Sequence, residues 1–236
     1  MVSKMKRKNE KIERNSSNHR LQEIISRLEA YFGVPQRRPK EKDLLGQLIG
    51  IILSQNTSDR NSAMAYATLR RRFPSYVAMA QAPAEEIAAA IRSAGLYRQK
   101  SIWIKNLLEW VKSRFGTYTL EEICQWPDEK IFRELGAIRG IGVKSIAVLL
   151  LFGCGRDVFP VDTHVHRIAK RLRLVPEHSS RDETFYRMNP EIPEGKALSF
   201  HLNLIRLGRT ICTARKPDCE VCPLQMLCPY AIERKP

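Results

Sequence analysis

Nearly every apolar stretch of this chain repeats at intervals of three and four residues, the spacing that lines up one face of an α-helix. In "RLQEIISRLEAYF" (20–32) that spacing puts Leu21, Ile24, Ile25, Leu28 and Phe32 on one side. "DLLGQLIGIILSQ" (43–55) is apolar enough for a central, buried helix, with Asp43 as its N-cap. "DRNSAMAYATLRRRF" (59–73) is stopped by Pro74, and "APAEEIAAAIRSAG" (82–95) has proline early and glycine last. "RQKSIWIKNLLEWVKSRFG" (98–116) is amphipathic, with Ile102, Leu107, Trp110 and Val111 as its core residues. Two short helices follow, "LEEICQW" and "DEKIFRELGAI", then the apolar run "GIGVKSIAVLLLF" (140–152), "VDTHVHRIAKRLRLV" (161–175) and "KALSFHLNLIRLGRTIC" (196–212). Residues 176–195 read as an irregular, proline-bearing crossover. No hairpin signal and no internal repeat interrupts the pattern. The expected fold class is all-α.

The 236 residues and 43% hydrophobic content suffice for one large domain or two small ones. Lys plus Arg number 40 against 25 Asp plus Glu, a net +15. The first 20 residues hold seven Lys/Arg and two Glu, so +5 of that total, leaving +10 for the folded part. Such a balance favours a polyanion, nucleic acid before an anionic membrane. No apolar run is long enough to span a bilayer, and no apolar segment of a secretory signal follows the basic N-terminus. The expectation is an intracellular protein without membrane attachment, whose basic arm (1–19) is solvated.

Three further stretches bear groups able to do chemistry. "LGAIRGIGVKSIAV" (135–148) places Gly140 and Gly142 in a tight turn between two helices. The second helix begins with N–H groups able to hold a phosphate; by itself the stretch also fits an ordinary helix–helix turn. It also sets Lys144 in a first turn, where the helix dipole disfavours a cation. In "FPVDTHVHRIAKRL" (159–172) Asp162 is positioned as an N-cap, and a cap is compatible with catalysis. His164 and His166, two residues apart, do not share a helical face and read as structural or DNA-facing rather than as a metal pair. "ILSQNTSDRNSA" (52–63) gathers Gln55, Asn56 and Asp59 where an apolar helix stops, either as a capped connection or at the mouth of a cleft.

Four of the six cysteines, Cys212, Cys219, Cys222 and Cys228, fall within 17 residues as C-x6-C-x2-C-x5-C. Their clustering argues for a metal site in a reducing compartment. With only one close pair, the spacing suits an iron–sulfur cubane better than zinc, which remains the alternative. Arg209, Arg215 and Lys216 lie around the loop, placed to face DNA or to balance an anionic cluster. Cys124 and Cys154 lie outside the pattern and are expected to be inert.

Taken together, "GIGVK", "VDTH" 18 residues after its lysine, and the cysteine loop resemble the endonuclease III branch of the helix-hairpin-helix DNA glycosylases, over about residues 20–230. The resemblance implies two helical lobes. One is a six-helix barrel (44–155) with the hairpin at about 132–150; the other is an iron–sulfur lobe built from both chain ends (20–43 and 156–236). It implies Lys144 and Asp162 as catalytic residues and the four cysteines as ligands of a [4Fe-4S] cluster. Gln55 and Leu96 would fill the gap left by a flipped base, and Gly140 and Gly142 would hold the DNA backbone. The hairpin departs from the usual family pattern at Arg139 and Val143. "LSQNTSD" and "FPVDTHVHRIAKRLRLVP" are closer to the Demeter-type 5-methylcytosine glycosylases, which makes Ser54, Asn56 and Asp59 base-pocket candidates.

The implied activity is base excision by a monomeric DNA glycosylase/AP lyase acting on double-stranded DNA with damaged bases or abasic sites. An oxidised pyrimidine is the family's default substrate. In that chemistry Lys144 attacks the sugar as a neutral amine, with Asp162 assisting. The alternatives are a glycosylase for another base, with weak lyase activity, and a noncatalytic DNA-binding module with a structural metal. The latter would need neither Lys144 nor Asp162.

Overall fold

The computed structural model describes residues 19–37 and 43–234, and there the helical spacing is realised with no strand among the described residues. The chain divides into two compact units, Met1–Arg38 with Asp157–Pro236, and Pro39–Arg156. Of the basic arm assigned to residues 1–19, only His19 is among the described residues, and it opens a helix.

The Pro39–Arg156 unit is organised on α2 (Leu44–Ser54). Leu45, Leu48, Ile49, Ile52 and Leu53 of this helix are completely or almost completely removed from solvent. α3 (Asp59–Arg72), α6 (Tyr97–Phe115) and α8 (Val143–Val148) pack on it. Burying five such side chains contributes on the order of 10 kcal/mol in apolar transfer. Asp43 caps α2 as expected, accepting from Gly46 N at 2.8 Å, and its other oxygen accepts from the Tyr76 hydroxyl. α4 (Tyr76–Gln81), α5 (Ala84–Ala90) and α7 (Asp128–Gly136) complete the unit. α4 has no counterpart in the sequence reading, although Ser75 is a capping residue and accepts from Ala78 N at 3.1 Å.

The apolar run after the hairpin is not one uniform α-helix. α8 passes into a π turn at Leu149–Gly153, where Gly153 lies so close to α2 that a β-carbon would meet Leu44 and Gln47. Two further expectations fail here. Ile102, assigned to the core of α6, is 50% exposed, while Lys100 of the same helix is completely buried. Cys124 and Cys154 are not inert free thiols but form a disulfide, because the turns carrying them meet across 30 residues of sequence.

The two hairpin glycines differ. Gly140 has φ +94°, and a β-carbon there would strike the Trp103 ring of α6 at 2.3 Å. Gly142, the N-cap of α8, has φ −101°, and a β-carbon there would meet open space. The glycine requirement at Gly140 is therefore internal to the fold.

The other unit joins both chain ends. α1 (19–32) buries Leu21, Ile24, Ile25 and Leu28. α9 (Thr163–Arg171) packs on α10 (Arg181–Met188) and α11 (Ala197–Thr210), and α12 (Pro229–Glu233) ends the described chain. Arg20 donates to Leu172 O at 2.7 Å and to Leu227 O at 2.9 Å, tying α1 to segments far along the chain. Phe159 and Phe200 stack at 5.1 Å within this core. α10 lies within residues 176–195, which the sequence reading treated as irregular. Its capping box, Ser180 with Glu183, is a signal that reading overlooked.

Glu29 of α1, with a side chain only 13% exposed, accepts from Lys196 Nζ at 2.8 Å and from Ser199 Oγ at 2.5 Å. Burial alone would raise its pKa, but these hydrogen bonds outweigh burial and hold it below the ordinary 4.5. Its contribution to stability is therefore present above about pH 4.5 and lost as the pH falls below that. Unfolding midpoints of wild type and Glu29→Gln should differ at pH 7 and converge towards pH 3. Gly140→Ala should destabilise the protein by about 1–3 kcal/mol. Gly142→Ala should stay within about 0.5 kcal/mol of wild type in the same unfolding measurements.

Candidate active site and metal centre

The Pro39–Arg156 unit gathers several of the expected residues through hydrogen bonds. Lys144 is the second residue of α8 and is half-buried. Gln55, the C-cap of α2, sends its amide Nε2 to Gly140 O at 2.9 Å and to Ser145 Oγ at 3.3 Å. The glutamine is thus docked on the hairpin, on the residue next to Lys144. Leu96 precedes α6 in the left-handed conformation, φ +47°, and is 50% exposed. A leucine gains nothing locally from that backbone, and such strain collects at functional positions.

Lys100 links these parts, and sequence reading missed it. Its Nζ donates to Leu53 O at 2.8 Å, Gln55 O at 2.6 Å and Ala94 O at 2.8 Å. These carbonyls lie at the ends of α2 and of the 3-10 turn Arg92–Ala94, where backbone acceptors lack helical partners. Burial lowers the Lys100 pKa to about 8, so the ammonium still predominates at neutral pH. A lysine within an amphipathic pattern ordinarily lies on the wet face, so periodicity could not single it out.

The base-pocket candidates are less drawn together. Ser54 turns its hydroxyl back onto its own helix, donating to Ile51 O at 2.8 Å. Asn56 is exposed with φ +52°, a conformation asparagine tolerates. Asp59 is exposed in the first turn of α3, and the cap of that helix is Ser58.

In the other unit, Asp162 is the N-cap of α9, accepting from Val165 N at 2.8 Å, and is half-buried. His166 Nδ1 lies 2.9 Å from Thr184 Oγ1, and His164 Nδ1 lies 3.2 Å from Arg167 Nη2. Both histidines are thus engaged with neighbouring side chains.

Of the four clustered cysteines, Cys212, Cys219 and Cys222 are half-buried and Cys228 is buried. Burial pushes the Cys222 thiol up to about 11 and raises Cys228 as well, and the other cysteines of the loop add to both shifts. The Cys228 Sγ lies 3.5 Å from Arg171 O. Arg171 Nη1 donates to Cys212 Sγ at 3.1 Å, and Arg167 grips Cys212 O at 2.8 Å. Buried thiols resist ionising alone, whereas a guanidinium on the sulfur favours thiolates bound to a cationic centre. Among the described residues no group of three His, Cys, Asp or Glu is gathered to hold a single ion. Four cysteine thiolates are the donor set of an iron–sulfur cluster. The cation on a loop sulfur is thus Arg171, a residue of α9 about 40 positions upstream, for which the sequence carries no local sign.

Comparison with known proteins agrees with this arrangement. Residues 49–194 match the HhH-GPD superfamily of base excision DNA repair proteins. Residues 212–228 match the iron–sulfur binding domain of endonuclease III, which makes the cysteine loop the seat of a [4Fe-4S] cluster. A provisionally named DNA glycosylase of Arabidopsis thaliana is 36% identical over 78% of this chain and 66% of its own length. Endonuclease III of Thermotoga maritima is 30% identical over 82% of this chain and 86% of its own. The transcriptional activator DEMETER of Arabidopsis thaliana is 29% identical over 65% of this chain, but over only 9% of its own. Endonuclease III trapped as a covalent intermediate with DNA shares the fold, with TM-score 0.78 and 24% identity over 92% of this chain and 98% of that one. The hairpin, the cysteine loop and these matches place the chain in the HhH-GPD superfamily of base excision repair proteins, as a DNA glycosylase of the endonuclease III family.

Proposed function

We propose that this glycosylase is bifunctional, removing an oxidised pyrimidine from duplex DNA and then cutting the strand through a lysine Schiff base. The observation that carries this reading is Lys144 itself, half-buried in the first turn of α8, beside a hairpin onto which Gln55 is docked. Only the neutral amine of such a lysine can attack the sugar and form the Schiff base.

In this reading the damaged nucleotide is unstacked at a cost of a few kcal/mol. Leu96 wedges into the duplex and Gln55 occupies the vacated space. The Lys144 amine forms a bond to C1′ of the sugar, and the base leaves with the electron pair of the glycosidic bond. Asp162 assists in deprotonating the lysine and stabilises the positive charge growing on the sugar. After the sugar ring opens to an iminium, loss of a 2′ proton expels the 3′ phosphate, and hydrolysis frees the lysine. Gly142, with open space at its β-carbon position, lets a phosphate approach the hairpin. Cys212, Cys219, Cys222 and Cys228 hold the cluster, which supplies a fixed, charged node for the fold and takes no part in these steps.

The relatedness to DEMETER supports a second substrate reading, in which Ser54, Asn56 and Asp59 admit 5-methylcytosine. Single-lesion duplexes separate the two: release of an oxidised pyrimidine is expected, and release of 5-methylcytosine instead would overturn the substrate assignment alone.

Borohydride reduction during turnover on abasic DNA should trap a covalent adduct with wild type and none with Lys144→Ala. An adduct undiminished in that variant would remove the lyase mechanism. Lys144→Arg keeps the charge and should bind DNA within about threefold of wild type while cutting at least a thousandfold more slowly. Asp162→Asn keeps an N-cap acceptor, so unfolding should change little while base removal slows by about 10²–10⁴. Purified protein should be brown, with four irons and four labile sulfides per chain. A colourless protein with stoichiometric zinc would contradict the cluster assignment.

A further inference from the structure

We propose that Lys100 is a positioning residue for DNA interrogation: its ammonium fixes the backbone behind Gln55 and Leu96, so the gap-filling and wedging side chains are set before DNA arrives. The proposal rests on the roles assigned to Gln55 and Leu96 above.

The geometry is complete in itself. An ammonium has three donors, and all three are used, on Leu53 O, Gln55 O and Ala94 O at 2.6–2.8 Å. Lys100 is 0% exposed, so it cannot serve as a nucleophile or a phosphate contact. Burying such a charge is costly unless every donor is satisfied, and an apolar side chain could fill the same space without that cost. What an apolar side chain could not do is hold three carbonyls from two loops on one centre. One acceptor is the backbone of Gln55, whose side chain reaches Gly140 and Ser145. Another is Ala94, followed by Gly95 at φ +64° and Leu96 at φ +47°. The strained wedge is thus held from one side by the ammonium and from the other by α6, which begins with the next residue. A hydrogen-bonded path runs from the wedge loop through Lys100 and Gln55 to the hairpin bearing Lys144. At neutral pH the third donor is present, because the pKa of about 8 leaves the ammonium in the majority.

The test compares wild type, Lys100→Met and Lys100→Arg, each with its cluster loaded and its unfolding curve recorded. Two readouts separate positioning from chemistry. The first is fluorescence of 2-aminopurine beside a tetrahydrofuran abasic analogue, which rises when the wedge unstacks the duplex. The second is single-turnover cutting of a lesion in duplex DNA, set against borohydride trapping on a preformed abasic site in single-stranded DNA, which needs no wedge. Lys100→Met should lose most of the fluorescence rise and cut the duplex lesion about 10- to 100-fold more slowly, because small misplacements have such effects. Its trapping on single-stranded abasic DNA should fall less than about threefold. Lys100→Arg, which retains charge and donors, should recover part of the fluorescence rise. Equal losses on both substrates, or a folded Lys100→Met with the wild-type fluorescence rise, would overturn the positioning role. Failure of both variants to fold would likewise overturn it, making Lys100 a stability residue. Absence of a trapped adduct in wild type would instead remove the underlying lyase reading.

Discussion

One buried ammonium holds the working edge of the Pro39–Arg156 unit together. α2 supplies the core, but a helix ends in carbonyls that need donors, and the polar residues of this edge lie at such ends. Lys100 meets that need for the end of α2 and for the turn before Leu96 with one side chain. The same helix repeats the device further along, where Lys105 Nζ donates to Ala80 O and Ala82 O at the end of α4. α6 is thus more than a packed amphipathic helix. Its lysines bind the ends of neighbouring chain segments, and the ends held by Lys100 carry Gln55 and lead into Leu96.

The contrast between Lys100 and Lys144 shows why a perturbed pKa is a weak guide by itself. Lys100 has the lowered pKa that nucleophilic lysines show, yet three carbonyls enclose it and no solvent reaches it. Lys144 is half-exposed at the start of a helix, next to the residue on which Gln55 is docked. Accessibility separates the two lysines. A parallel distinction holds for the hairpin glycines. Gly140 is required by Trp103 and by its own backbone, whereas Gly142 keeps space open that the fold itself does not fill.

Much of this molecule is legible in the sequence wherever the physics is local. Helical spacing, the Asp43 and Asp162 caps and the glycine turn before Lys144 are all short-range patterns, and each has a direct structural counterpart. The misses are of two kinds. α4 and α10 have local capping signals, Ser75 and the Ser180–Glu183 box, that hydrophobic spacing outweighed. Lys100, Arg171 and the Cys124–Cys154 bond depend on partners 30 to 47 residues away or on the meeting of separate turns, so no window of the sequence displays them. Ile102 fails for the same reason: a helical stripe shows which side is apolar, and only the packing shows how far round the helix the cover extends.

The assignment of chemistry to Lys144 and of scaffolding to Lys100 meets its most direct test in the identity of the covalently modified residue. Protein trapped on abasic DNA with borohydride would be digested with protease and nuclease, and the peptide bearing the reduced sugar sequenced by mass spectrometry. The account predicts a single modified residue, Lys144, within "GIGVKSIAV". Modification of Lys100, or of lysines scattered over the surface, would contradict it.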